Sequence, residues 1–143
     1  MCLYTTQVKP KVFSKDKVFY KVLYKRNDEF GIPYYNTPYT GDDVQIGKVI
    51  NAKGKGRLVP KSATPSGRTN IIFDGYIHLL RCKLEAVELK YWIESYLLPS
   101  EMIPVDEVVV VRAKVKSGTQ YYSGYDSNYY GSVAVKKVKY ELI

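Results

Sequence analysis

The sequence is poor in the residues that bind metal ions and form disulfides. Its two cysteines, Cys2 and Cys82, lack the spacing of a C-x-x-C pair, and His78 is its one histidine. These three side chains cannot complete a four-coordinate structural zinc site. We therefore expect no metal site and reduced thiols, and no motif in the chain predicts a cofactor.

Long apolar runs are also missing. No stretch approaches the roughly 20 residues that cross a bilayer, and the segment from Met1 to Thr6 has no apolar core of a signal peptide. We therefore expect a cytoplasmic protein without a membrane partner.

Motifs of nucleophilic or metal-dependent catalysis are absent as well. The chain contains no G-x-S-x-G, no H-E-x-x-H and no G-x-x-x-x-G-K-[ST] sequence. Histidine-based acid–base chemistry would have to use His78, and we expect instead a half-buried histidine held by a hydrogen bond. The sequence thus predicts no catalytic residue, although carboxylates that meet in space would not be visible in it.

Acidic residues are missing between Val44 and Phe73, in a chain whose formal net charge is +8. Residues 51–70 are rich in glycine and proline and predict a flexible basic loop. Such a surface suits phosphates, nucleic acid or an acidic protein, although a solvated loop is an equally good interpretation. The cations of this region are Lys48, Lys53, Lys55, Arg57, Lys61 and Arg68.

Tyrosine, by contrast, is abundant, with 15 residues among 143. Its ring stacks on a base or a sugar, and its hydroxyl forms hydrogen bonds. Half-buried sheet faces also favour tyrosine, which explains Tyr20, Tyr24 and Tyr140. The glycine-rich segment from Tyr121 to Tyr130 is explained less well in this way, so we interpret Tyr121, Tyr122 and Tyr125 as part of a binding surface.

Hydrophobic periodicity predicts the fold class. Residues 17–25 and 107–116 alternate as strands with apolar side chains on both faces. Residues 71–80 resemble a buried strand interrupted at Gly75, residues 44–50 a short strand, and residues 132–143 a strand whose alternation shifts near Lys136. With one helix between strands, we expect a single α+β domain over residues 1–143, with a largely antiparallel twisted sheet.

The one predicted helix spans about 83–98. Ala86, Leu89, Ile93 and Leu97 recur at helical spacing, with Leu84, Val87 and Tyr91 widening the apolar stripe. Pro99 limits its continuation.

Two resemblances add to these patterns. The pieces MCLY, KVFYKVLYK, GYIHLLR and KSGTQYYSG resemble small proteins of gut bacteria and their phages. That resemblance implies a phage or mobile-element accessory protein and does not imply any particular activity.

The order of elements is also similar to the ADP-ribosyltransferase-like fold, through Leu23 to Arg26, Gly75 to His78, the strand before Gly118 and the terminal strand. Gly131 and Ser132 stand where that fold has its catalytic glutamate, so the resemblance implies that transfer chemistry is absent. It implies a nucleotide pocket formed by Tyr24, Lys25, Tyr76, His78 and Arg81.

Three functions remain open. The first is a non-catalytic protein that binds a nucleotide or nucleic acid through the basic loop and the tyrosines. The second is an atypical ADP-ribosyl or phosphoryl transferase, which requires an acid close to Arg26 and His78. The third is a structural or protein-interaction module, which predicts an apolar contact between chains and no concave pocket.

Overall fold

The computed structural model describes residues 3–54, 58–60, 70–72 and 75–143. Within these ranges the chain forms thirteen strands and one α-helix. The helix is α1 (Lys83–Trp92), and the strands are β1 (Leu3–Thr5), β2 (Lys11–Val12), β3 (Lys17–Asn27), β4 (Pro33–Asn36), β5 (Asp43–Val44), β6 (Val49–Asn51), β7 (Leu58–Pro60), β8 (Asn70–Ile72), β9 (Ile77–Leu80), β10 (Glu107–Val115), β11 (Gln120–Tyr125), β12 (Gly131–Val135) and β13 (Lys137–Leu142).

The strands belong to one sheet in the order β6-β13-β10-β3-β9-β12-β11-β1-β8-β7. Outside this order, β4 pairs with β3 and with β5, and β2 pairs with β11. Each of these pairings is antiparallel, for example β3 with β10 and β12 with β9. The predicted α+β class with a largely antiparallel sheet is therefore confirmed.

Strand β3 forms the centre of the sheet because both of its faces are apolar. Phe19 and Leu23 pack into one core cluster, and Val22 and Tyr24 pack into a second cluster on the opposite face. Side chains of a strand alternate between faces, so the sequence of β3 supplies both cores at once. The neighbouring strand β10 pairs with it without interruption, from Glu107 opposite Lys25 to Val115 opposite Lys17.

Helix α1 covers the second cluster. Ala86, Leu89 and Ile93 are buried there, and complete burial of a leucine or isoleucine contributes about 2 kcal/mol. The helical path continues as a π-helix (Ile93–Leu97) and a 3₁₀ turn (Leu98–Ser100), which confirms the predicted helical segment but ends its α-helical part at Trp92. The prediction that Leu84 and Tyr91 widen the buried stripe is wrong, because both side chains lie on the solvent side.

Three stretches predicted as single strands are divided in the structure. Residues 70–80 contain β8 and β9, which pair with different neighbours. Residues 43–51 contain β5 and β6 around a turn in which Gly47 has a φ of +83°, a conformation that glycine adopts without a steric penalty. The predicted irregularity near Lys136 is the break between β12 and β13.

No helix in the described part of the chain is both long enough and apolar enough to cross a membrane.

Candidate functional site

Strands β3 and β9 diverge soon after they meet, and a pocket of about 350 Å³ lies beside the point of divergence. Tyr20 opposite Leu80 is the one register pair between them in the described residues, whereas all four residues of β9 pair with β12. Beyond that pair, the Nζ of Lys21 on β3 donates a hydrogen bond of 2.8 Å to the carbonyl of His78 on β9. A lysine side chain therefore replaces a backbone donor between the two strands.

Several elements supply the walls of the pocket. The lining residues come from the β4–β5 turn, the β6 segment, strand β9, the inner face of the helix and the ends of β11 to β13; the polar or aromatic ones among them are Lys21, Thr37, Tyr39, Thr40, Asp42, Asp43, Asn51, Lys53, Tyr76, His78, Asp126, Ser132 and Tyr140. Tyr39, Asp42, Asp43 and Lys53 are exposed and form the rim. Lys21 and His78 lie deeper, with Asp126.

The turn between β4 and β5 holds its own shape. The amide of Asp42 donates to the Oγ1 of Thr37, and the Oγ1 of Thr40 donates to Asp42 Oδ2 at 2.7 Å. Gly41 takes a φ of +70°, which allows the chain to reverse. Hydrogen bonds within the turn therefore hold this part of the rim in place.

Burial disfavours positive charge in the pocket. It lowers the pKa of Lys21 to about 8, while the carboxylate of Asp42 acts in the opposite direction. It lowers the pKa of His78 to about 3, with a smaller contribution from the Lys21 ammonium. His78 is therefore neutral at pH 7, and its Nε2 is buried without a hydrogen-bond partner among the described residues. The predicted hydrogen bond to this histidine is not found at that atom.

Asp126 is a second incompletely bonded group of the pocket. Its side chain is nearly inaccessible, with 3% of the residue exposed. Its Oδ1 accepts the amides of Asn128 at 2.8 Å and Tyr130 at 3.0 Å, whereas its Oδ2 is buried and has no partner in the described structure. Burial raises the pKa of this carboxyl, and the two N–H bonds oppose that rise.

The structure places two of the residues predicted to bind ligand, Tyr76 and His78, at the pocket. The others are not among its lining residues, namely Tyr24, Lys25, Arg26, Arg81, Tyr121, Tyr122 and Tyr125. Lys25 forms an ion pair of 3.6 Å with Asp106, and Arg81 and Tyr125 are exposed.

Arg26 is 6% exposed and is bonded by the fold itself. Its guanidinium donates to the side chain of Asn36, to the carbonyls of Ile103 and Pro104, and to the Oε2 of Glu101 at 3.3 Å. The transferase hypothesis required an acid close to both Arg26 and His78. The acid that pairs with Arg26 does not line the pocket that contains His78.

The tyrosines also divide between core and surface. Tyr24 is completely buried, which raises its pKa to about 12. Tyr121 stacks on Phe13 with ring centroids 3.8 Å apart, and the buried Tyr122 lies 5.4 Å from the ring of Tyr76. Tyr121 and Tyr122 thus pack against other rings within the fold, as tyrosines on half-buried sheet faces do. The ring of Tyr125 is exposed.

The basic residues are described only in part. Lys53 lies at the pocket rim, and Lys48 is exposed next to the Gly47 turn. Lys55, Arg57, Lys61 and Arg68, with most of the predicted basic loop, lie outside the described residues.

The pocket residues that sequence reasoning missed include Lys21, Tyr39, Asp42 and Asp126. Lys21 carried a signal, because it interrupts an apolar face between Phe19 and Leu23, and a buried lysine needs a partner. Asp126 carried none beyond its place in a turn, since its burial depends on strands that are distant in sequence.

No group of three or more histidine, cysteine, aspartate or glutamate side chains in the described ranges is arranged to hold a metal ion. No protein-family model, no curated protein and no solved structure matches the chain. The chemistry of the pocket is therefore the basis for any functional conclusion.

Proposed function

We propose that this protein is a non-catalytic binding protein that holds a small phosphate-bearing ligand of the nucleotide class in the pocket beside β3 and β9. The observation that carries the proposal is a pocket that an exposed tyrosine, Tyr39, and an exposed lysine, Lys53, line together. An aromatic ring beside a cation suits a ligand that contains both a base and a phosphate.

The size of the pocket supports a small molecule. About 350 Å³ lies at the lower end of the range for small-molecule sites, roughly 300–1,000 Å³. That volume suits one nucleotide better than a dinucleotide.

Aromatic and cationic groups support the nucleotide class. Tyr39 and Tyr76 line the pocket. The ring of Tyr76 is already contacted by the Nζ of Lys136, 4.8 Å from its centroid, and by the ring of Tyr122. Tyr39 therefore offers the stacking surface for a base.

Lys53 stands at the rim and belongs to the acid-free segment between Val44 and Phe73. A phosphate group would be attracted to Lys53 and repelled by the rim carboxylates of Asp42 and Asp43.

The side chains of the pocket favour binding over acid–base catalysis. An effective general base has a pKa near the working pH, whereas the pKa of His78 is lowered to about 3. The Lys21 ammonium donates to a backbone carbonyl, so it acts within the scaffold.

Isothermal titration calorimetry of the full chain with AMP, GMP, CMP and UMP at 150 mM salt tests the proposal. We expect at least one nucleotide to bind with 1:1 stoichiometry. Ala52 lines the pocket and Val49 is an exposed residue of β6 that does not. We therefore expect Ala52→Trp to weaken binding at least tenfold and the matched control Val49→Trp to leave it within twofold.

Two results would contradict the proposal. Binding only to RNA or DNA polymers, with an affinity that falls steeply as salt rises, would indicate a general electrostatic surface. No binding by any of these compounds would favour the protein-interaction alternative.

A further inference from the structure

One face of strands β10 and β13 is rich in cations. In the register of these two strands, Arg112 lies opposite Glu141 and Lys114 lies opposite Lys139. Residues that alternate with them, such as Ala113, are buried in the first of the two core clusters, so the four side chains project from the other face of the sheet. Lys114 and Lys139 are exposed there.

The array of cations continues along β13. Lys137 is exposed and lies on the same face as Lys139, two residues away. Just beyond the paired residues, the exposed Lys116 and Asp16 add one charge of each sign and leave the balance unchanged. The cationic sheet face is defined by Arg112, Lys114, Lys137 and Lys139.

Negative charge on this face is limited to one carboxylate among the paired residues of β10 and β13 in the described structure. Glu141 accepts a bond of 2.9 Å from the Nζ of Lys114. That bond, together with the nearby charges of Arg112 and Lys139, lowers the pKa of the Glu141 carboxyl. Lys137 and Lys139 form no ion pair with another described residue. The face therefore keeps an excess of positive charge.

This arrangement is unfavourable for the isolated fold. Like charges directly opposite each other on neighbouring strands are destabilising, and Lys114 and Lys139 form such a pair. An anion that spans both strands would neutralise both lysines. The register of the sheet thus favours a partner with several negative charges.

A nucleic-acid backbone fits this array better than an acidic protein does. Protein–protein interfaces are depleted in lysine, whereas lysine and arginine supply many of the contacts to phosphate oxygens in complexes with nucleic acids. Neighbouring strands lie about 4.8 Å apart, and alternate residues of one strand lie about 7 Å apart. Long lysine side chains at these spacings are therefore able to reach several successive phosphates.

We propose that the cationic sheet face binds the phosphate backbone of a nucleic acid without reading its base sequence. None of the four residues of this face lines the pocket, so it is a second site. The inference goes beyond the proposed function and does not depend on it. Single strands and duplexes both present phosphodiesters, and the test distinguishes them.

Fluorescence anisotropy with a labelled single-stranded oligonucleotide and a labelled duplex of the same length tests the proposal on the full chain. The double variant Lys114→Gln/Lys139→Gln removes two cations of the face. The matched control Lys9→Gln/Lys11→Gln removes two exposed lysines at β2, which pairs with β11 and is separated from β10 by three strands. We expect the first variant to weaken binding at least fivefold and the control to leave it within twofold.

The dependence of affinity on salt gives an independent readout. Each phosphate contact contributes about 0.7 for a single strand, and about 0.9 for a duplex, to the slope with which log affinity falls against log salt concentration. The loss of two contacts should therefore reduce this slope by about 1.4 or about 1.8, and the control should leave it unchanged. The probe that binds more tightly identifies the preferred form of nucleic acid.

Four results would overturn the proposal. They are no binding of either probe, equal losses in the two double variants, a salt slope that Lys114→Gln/Lys139→Gln does not change, and displacement of the oligonucleotide by poly-L-glutamate as efficiently as by unlabelled DNA. The last result would indicate an acidic protein as the partner. Thermal unfolding checks that each variant remains folded, and if Lys114→Gln/Lys139→Gln does not fold, Lys137→Gln is compared with Lys9→Gln instead.

The outcomes also separate this face from the pocket. Ala52→Trp should leave oligonucleotide binding within twofold, and a tenfold loss would place the oligonucleotide in the pocket and overturn this inference. Oligonucleotide binding at the face without mononucleotide binding would contradict the proposed function and leave this inference intact. Mononucleotide binding, with an oligonucleotide affinity that Lys114→Gln/Lys139→Gln does not change, would do the opposite.

Discussion

Two regions beside β3 contain buried polar side chains that are bonded to different extents. Near the end of the strand, Arg26 donates to Asn36, Glu101 and two backbone carbonyls, while the hydroxyl of the neighbouring Tyr24 is buried without a hydrogen-bond partner among the described residues. Near its middle, two residues of the pocket lining, His78 and Asp126, each have one buried atom, Nε2 and Oδ2, without a partner in the described chain.

We interpret this difference as one between a structural role and the proposed binding role. Arg26 uses four hydrogen bonds within the fold, so its guanidinium stabilises the surrounding structure and has at most one of its five donors left for a ligand. A buried polar atom without a partner costs free energy, and a functional role is one of the reasons for which folds retain such atoms. The effects of mutations on stability should therefore differ between the two regions, both in magnitude and in their dependence on pH.

The largest effect is expected at Arg26. Arg26→Met removes a buried cation and leaves Glu101 and two carbonyls with lost bonds, so we expect the free energy of unfolding to fall by about 3 kcal/mol. Urea denaturation at 25 °C measures the change.

A matched exposed pair provides the control. Lys114 and Glu141 form an ion pair of 2.9 Å in which the lysine side chain is 52% exposed. Exposed pairs contribute about 0–1 kcal/mol, so Lys114→Met should change stability by less than about 1 kcal/mol. Equal losses in the two variants would remove the distinction between a buried and a surface pair.

A smaller effect is expected from His78 at acidic pH. Its pKa of about 3 in the folded state lies below the ordinary value of 6.5, so between these values the unfolded chain binds a proton that the folded chain does not. Stability must therefore fall as pH falls through that window, by about 2 kcal/mol between pH 7 and pH 5.

Comparison with His78→Gln isolates this contribution, because other groups, including Asp126, titrate in both proteins. Urea denaturation of both at pH 7 and pH 5 gives the difference. Parallel losses in the two proteins would show that His78 takes up its proton equally in the folded and unfolded states.

The smallest effect is expected at Lys21 near neutral pH. Lys21→Met deletes the bond to the His78 carbonyl but also removes a desolvated ammonium, and the two changes oppose each other. We expect a net change of about 1 kcal/mol or less at pH 7 in urea denaturation.

Alkaline pH sharpens this prediction. The folded pKa of Lys21 is lowered to about 8 from 10.5, so the unaltered protein should gain stability between pH 8 and 10.5 relative to Lys21→Met. A loss at pH 7 as large as that of Arg26→Met would place Lys21 among the fully bonded structural charges.

Sequence reasoning predicted the elements that local pattern controls. The two apolar faces of β3 and β10 follow from alternation, and the buried positions Ala86, Leu89 and Ile93 follow from helical spacing. The same spacing misplaced Leu84 and Tyr91, because the width of the buried stripe depends on the surface against which a helix packs.

The candidate site was predicted less well. Tyr76 and His78 were selected for their chemistry and lie at the pocket. Arg26 was selected for its charge, but Ile103, Pro104 and Glu101, about 75 residues further along the chain, use its donors. Composition shows which side chains are able to bind a ligand and does not show which of them the fold already occupies.

The sequence by itself determined the fold class, because side-chain alternation and helical periodicity are local properties of the chain. Only the tertiary structure decided where β3 and β9 separate, since strand pairing depends on residues that are distant in sequence. The tertiary structure also buries Asp126 and leaves its Oδ2 without a partner among the described residues. Which polar side chains the fold leaves incompletely bonded can be read only from the tertiary structure, because their partners come from distant parts of the chain.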